Sequence, residues 1–139
     1  MLESDHNPDT VARVAQHAIE VGLGYEAVVL ADRTAMPAWH LEFQRPLDPD
    51  DQDRQLGLDT YCVVLPTGAT GYGCLASASV SEQRLRLTFH ADQLTELGLT
   101  DPTLEIKLAL EAASLEEFVN GLRQVLGQPR GPALGGLLT

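Results

Sequence analysis

Along the chain the spacing of apolar positions switches between the helical period of 3.6 and the strand period of 2, and the switches predict the elements. Pro8 and Asp9 can cap a helix in which Val11, Val14, Ala15, Ala18 and Ile19 recur at helical spacing until Gly22 and Gly24, so an amphipathic helix is expected over 9–21. The run YEAVVLA, from Tyr25 to Ala31, is short, valine-rich and almost continuously apolar, which suits a strand covered on both faces. Segment 38–44 alternates, with Trp39, Leu41 and Phe43 inward and His40, Glu42 and Gln44 outward. Next, PLDPDDQDRQLG has no apolar face to pack and reads as an exposed loop.

Strands over 58–65 and 70–80 are expected to form a hairpin, because Pro66, Thr67 and Gly68 supply turn chemistry between them. Segment 84–90 alternates again, burying Leu85, Leu87 and Phe89 and exposing Arg84, Arg86 and His90. ADQLTELG predicts a short helix closed by Gly98. Strand 103–110 would bury Leu104, Ile106, Leu108 and Leu110. Ser114 and Glu117 have capping-box spacing, and Leu115, Phe118, Leu122, Val125 and Leu126 then line one helical face until Gly127. The expected fold is therefore α+β: a mostly antiparallel sheet of five or six strands with an N-terminal and a C-terminal helix packed on it. Residues 1–127 would form one domain, with 128–139 a flexible Gly/Pro-rich tail.

Charge narrows the partners. Twenty acidic residues against nine basic ones give a net charge of −11 across 139 residues, which disfavours phosphate backbones and anionic membranes and favours a basic protein. No apolar run approaches bilayer length, and MLESDHNPDT has neither the basic start nor the apolar stretch of a secretory signal, so the cytosol is the expected compartment. Two cysteines, Cys62 and Cys74, are too few for a disulfide-built scaffold and are expected to be reduced. Flanking the predicted turn, they should lie on one face of the hairpin, either as inert core thiols or as a redox or metal pair.

Phosphate loops, nucleophile elbows, C-x-x-C pairs and zinc-protease helices are all missing from the sequence. His6, His17, His40 and His90 are scattered over four segments and read as ordinary surface histidines, the rival being a site that folding assembles. The aspartates Asp48, Asp50, Asp51, Asp53 and Asp59 raise calcium. The frame from Asp48 nevertheless places Asp53 where an EF-hand turn needs glycine and Asp59 where a bidentate glutamate is usual. A solvated acidic loop and a partner-binding surface are the other readings of that stretch. Trp39 is either a core anchor or a binding hot spot.

From Tyr61 to Leu126 the chain resembles the tenth family of immunity proteins from bacterial polymorphic toxin systems. TYCVVLPTGATGYGCL is similar to that family's tyrosine-bearing strand, turn and Tyr-Gly-Gly strand, with Cys74 standing where its second glycine is expected. RLRLTFHADQLTELGL resembles its leucine-rich strand and short helix, and DPTLEIKLAL with SLEEFVNGLRQVL its closing strand and helix. The resemblance implies a protein that binds and neutralises a cognate toxin by occlusion, with no activity and no cofactor of its own; a basic nuclease would suit the charge. Candidate partner-binding residues are Asp48, Asp50, Asp51, Asp53, Trp39, Tyr61 and Tyr72. Two rival functions stand beside this one: a small-molecule binder or enzyme with a pocket near Tyr61, Tyr72 and His40, and an adaptor subunit of a larger assembly. A monomer and a dimer are both compatible with the sequence.

Overall fold

The computed structural model describes residues 10–128 and 130–138; His6, Pro8 and Asp9 lie outside them. Ten strands, β1 (Val11–Ala12), β2 (Val14–Glu20), β3 (Tyr25–Ala31), β4 (His40–Pro46), β5 (Cys62–Val64), β6 (Thr70–Tyr72), β7 (Leu75–Ser81), β8 (Arg84–Phe89), β9 (Thr103–Leu108) and β10 (Ala133–Gly136), form two five-stranded sheets. The helices are α1 (Asp51–Gln55), α2 (Leu94–Leu97) and α3 (Ala112–Leu126). The fold is thus α+β, with two sheets where one was expected.

The first sheet runs β2-β3-β4-β5-β6 and is antiparallel throughout. Its β2 overturns the expected first helix. Valine, alanine and isoleucine at mixed spacing are compatible with either period, and the choice is settled by β3, whose apolar run needs a partner along each edge. The seven residues of β2 pair with it in register from Val14↔Ala31 to Glu20↔Tyr25. Gly22 and Gly24 consequently sit in the hairpin turn, where the Glu20 carbonyl accepts from the amides of Leu23 and Gly24 at 3.1 and 2.7 Å.

The second sheet runs β1-β9-β8-β7-β10, antiparallel at its centre and parallel at both outer pairs. Segment 70–80, expected as one strand, is divided: β6 completes the first sheet, Gly73 turns with φ +59°, and β7 enters the second. A side chain at that φ would be strained, so glycine is what lets the chain change sheets there. The β5–β6 hairpin itself forms around the predicted turn, closed by Leu65 N–H donating to Ala69 O at 2.8 Å.

A hydrophobic cluster joins the inward faces of both sheets to α3: Val28, Leu30, Leu41 and Phe43 from the first, Val80, Leu85, Leu87 and Ile106 from the second, and Phe118, Leu122, Val125 and Leu126 from the helix. The alternations over 38–44, 84–90 and 103–110 therefore bury the side they should. α3 lies across β2, β3 and β4. Its approach depends on Gly121, where a Cβ would stand 2.9 Å from Val28 Cγ2 and 3.2 Å from the His17 ring. The helix starts earlier than expected, capped at Glu111 without a side-chain bond, so Ser114 falls inside the first turn and makes no capping box.

In its described part the segment expected as a tail carries a strand. β10 pairs with the edge of β7, Leu138 is buried, and Arg123 of α3 donates to the carbonyls of Leu137 at 2.7 Å and Leu138 at 3.3 Å. Arg130 pairs with Asp59 and holds that half-buried carboxyl below its usual range. Edge pairing satisfies backbone groups that composition alone leaves unread.

Candidate partner-binding surface

Residues opposite one another in an antiparallel pair share a face, so Gln44, Cys62 and Tyr72 lie together on the side of the first sheet turned away from the core. Tyr72, on the edge strand β6, is 44% exposed, while Cys62 beneath it is buried. Burial, with the adjacent Cys62 thiol and the Asp53 carboxylate, pushes the Tyr72 phenol up, so at neutral pH it is an intact O–H donor beside an exposed ring face. On one side of Tyr72 is a small depression of about 130 Å³ with Tyr25, Gln44, Pro46 and Leu58 in its walls. On the other is a groove of about 510 Å³, running between the end of α1 and the α2 segment past Leu56, Thr70, Asp92, Glu96 and Leu97.

The acidic stretch beside it is not a loop. Asp50 caps α1 by accepting from the Asp53 amide at 2.8 Å, Asp53 returns the bond from the Asp50 amide at 3.0 Å, and Arg54 pairs with Asp51 at 2.8 Å. This is a capping box in a stretch where none was expected. Self-repulsion among the aspartates is relieved locally by amides and one guanidinium, while Asp48 stays exposed. Of these carboxylates, Asp53 stands close enough to Tyr72 to act on its phenol.

The other candidates disperse. Tyr61 is completely buried; its hydroxyl accepts from the Leu75 amide at 2.8 Å and donates to the Leu75 carbonyl, and burial lifts its phenol to about 12. It is a strut between the two sheets and offers no surface to a partner. His40 sits at the opposite end of β4 among Val14, Gln16, Val29 and Arg33, so Tyr61, Tyr72 and His40 form no common pocket. Trp39 is half-buried against the core, its backbone amide 3.4 Å from Asp32 Oδ1.

Cys62 and Cys74 are both buried free thiols, as expected, but they do not share a face. Cys74 belongs to the core cluster and lies against Gly71, on the opposite side of β6 from Tyr72 and Cys62. The turn at Gly73 resets the alternation on which the same-face expectation rested. Burial raises both thiols, Cys74 to about 12, which leaves neither a thiolate at neutral pH. Among the described residues no cluster of three or more His, Cys, Asp or Glu could hold a metal ion, calcium included. No described helix is long and apolar enough to cross a membrane.

Sequence reasoning missed Leu56, Asp92 and Glu96. Two signals pointed to them: Leu56 is an apolar residue in an otherwise polar run, and Asp92 and Glu96 are like charges four apart, a spacing that costs a helix a few tenths of a kcal/mol.

A family model described as Immunity protein 10 matches residues 12–116, a span that includes α1, Tyr72, Asp92 and Glu96. No curated protein and no solved structure matches the chain.

Proposed function

Since the chain belongs to the Immunity protein 10 family, we propose that it neutralises a cognate toxin of a polymorphic toxin system in the cytosol, by binding and covering it rather than by catalysis. The observation that carries the proposal is the Tyr72 surface: an exposed aromatic ring between two depressions, with acidic groups along the rim. Interface hot spots are enriched in tyrosine set in concave, water-excluding surroundings, and rim charges set encounter rates. A net charge of −11 suits a basic toxin, a nuclease being the natural class, because such an enzyme carries a cationic groove for its substrate backbone. An acidic inhibitor is drawn to that groove and occludes it.

The acidic stretch is tested by replacing Asp48, Asp50, Asp51 and Asp53 with asparagine and measuring binding kinetics against the cognate toxin. Asparagine caps helices about as well as aspartate, so α1 should survive the change. The expected result is slower association at low salt with little change in dissociation. The wild-type advantage should fade as the Debye length falls to ~8 Å near physiological ionic strength. Unaltered association at low salt would make α1 and its approach mere connections.

A further inference from the structure

We infer that the groove between α1 and the α2 segment receives an arginine side chain carried on a loop of the partner. The inference deepens the toxin-binding proposal and rests on it. Asp92 and Glu96 line the groove, both are exposed, and neither has an ion-pair or hydrogen-bond partner among the described residues. Four other carboxylates of the chain are each paired with an arginine, Glu26 with Arg45, Asp51 with Arg54, Glu105 with Arg86 and Asp59 with Arg130, whereas Asp92 and Glu96 are not. No arginine or lysine lines this groove.

The remaining walls select the kind of cation. Tyr72 contributes a ring face and Leu56, 62% exposed, an apolar flank, with buried Leu97 behind. A guanidinium is planar, weakly hydrated and able to stack on an aromatic face while it forks onto carboxylates; an ammonium is a strongly hydrated point charge that gains less from apolar walls. At about 510 Å³ the groove lies within the ~300–1,000 Å³ range of sites that enclose a small ligand, room for one such side chain and part of the loop bearing it.

The test uses the full chain, isotope-labelled, titrated with the capped tripeptide Gly-Arg-Gly and observed by amide chemical shifts. Saturable shifts should be confined to residues near Leu56, Tyr72 and the 92–97 segment, and the citrulline analogue, neutral and nearly isosteric, should produce none. Asp92→Asn with Glu96→Gln should weaken the peptide at least ~10-fold, and Tyr72→Leu should weaken it severalfold. Glu116→Gln with Glu117→Gln, acidic positions on the exposed side of α3, should leave it unchanged. Unsaturable shifts spread over all acidic regions, or equal binding by the Asp92/Glu96 variant, would overturn the groove, and a Gly-Lys-Gly peptide that binds as tightly would overturn the choice of arginine. Measured in parallel, toxin affinity unaltered by the Asp92/Glu96 pair would reject the groove while leaving toxin binding standing; a wild-type protein with no affinity for its toxin would reject the binding proposal itself.

Discussion

Phe118→Ala is expected to cost about 3–5 kcal/mol of stability, the usual range for deleting a buried phenylalanine ring. Phe118 is 1% exposed and belongs to the hydrophobic cluster beneath α3, so truncation leaves a void that its packed neighbours would have to shift to fill. Protein interiors relax only partly around such voids, and the lost contacts add to the lost transfer energy. A domain of this size has roughly 5–15 kcal/mol in all, so the midpoint of urea unfolding should fall far, with an unchanged slope. A midpoint like that of the wild type would mean that the ring is not packed in that cluster.

Glu26→Ala is the second large effect, expected near ~3 kcal/mol. Glu26 is wholly buried, with Oε1 2.5 Å from Arg45 Nε and Oε2 2.6 Å from His17 Nε2, so one carboxylate ties β3 to both neighbouring strands. Removing it strands a guanidinium in a partly dehydrated place, which is the costly way to break a buried pair. The cost should stay at the lower end of its ~3–5 kcal/mol range because Arg45 and His17 keep 21% and 24% of their side-chain surface and can recover some water. Denaturant midpoints of the wild type, Glu26→Ala and Glu26→Gln decide the matter, with glutamine the milder change since it keeps the shape and one acceptor. Equal midpoints for all three would mean that the triad contributes nothing to stability.

The legible parts of the fold are those with one buried face. β4, β8 and β9 alternate because one side meets the core and the other water, and α3 shows its stripe for the same reason. β2 was hidden because its Val, Ala and Ile spacing fits both periods, and only the demand of β3 for an edge partner, a long-range fact, decides between them. The division at Gly73 was equally invisible, since a single residue of positive φ reads as an ordinary turn glycine until the two sheets are seen. Local composition gave no sign of β10, because its pairing with β7 and the Arg123 hydrogen bonds beyond it are long-range contacts that composition does not record.

The candidate surface was legible through its chemistry more than its geometry. Tyr72 stood out as an aromatic residue on a predicted hairpin, but Tyr61 stood out equally, and only the fold separates the exposed ring from the buried strut. The aspartates from 48 to 53 attracted attention by their density, yet three of them are occupied within α1. Asp92 and Glu96 look like any solvated pair until the fold sets them across a groove from Leu56 and Tyr72.

The central claim is that this chain binds a toxin through the Tyr72 surface, and the most direct measurement is calorimetric titration of the toxin with the wild type and with Tyr72→Ala at ~0.15 M salt, after unfolding curves have shown equal stability. Because Tyr72 is the exposed ring between the two depressions, its loss should weaken binding at least ~30-fold, the mark of a hot-spot residue worth ~2 kcal/mol or more. A Tyr72→Ala protein that is folded like the wild type and binds the toxin just as tightly would contradict the account.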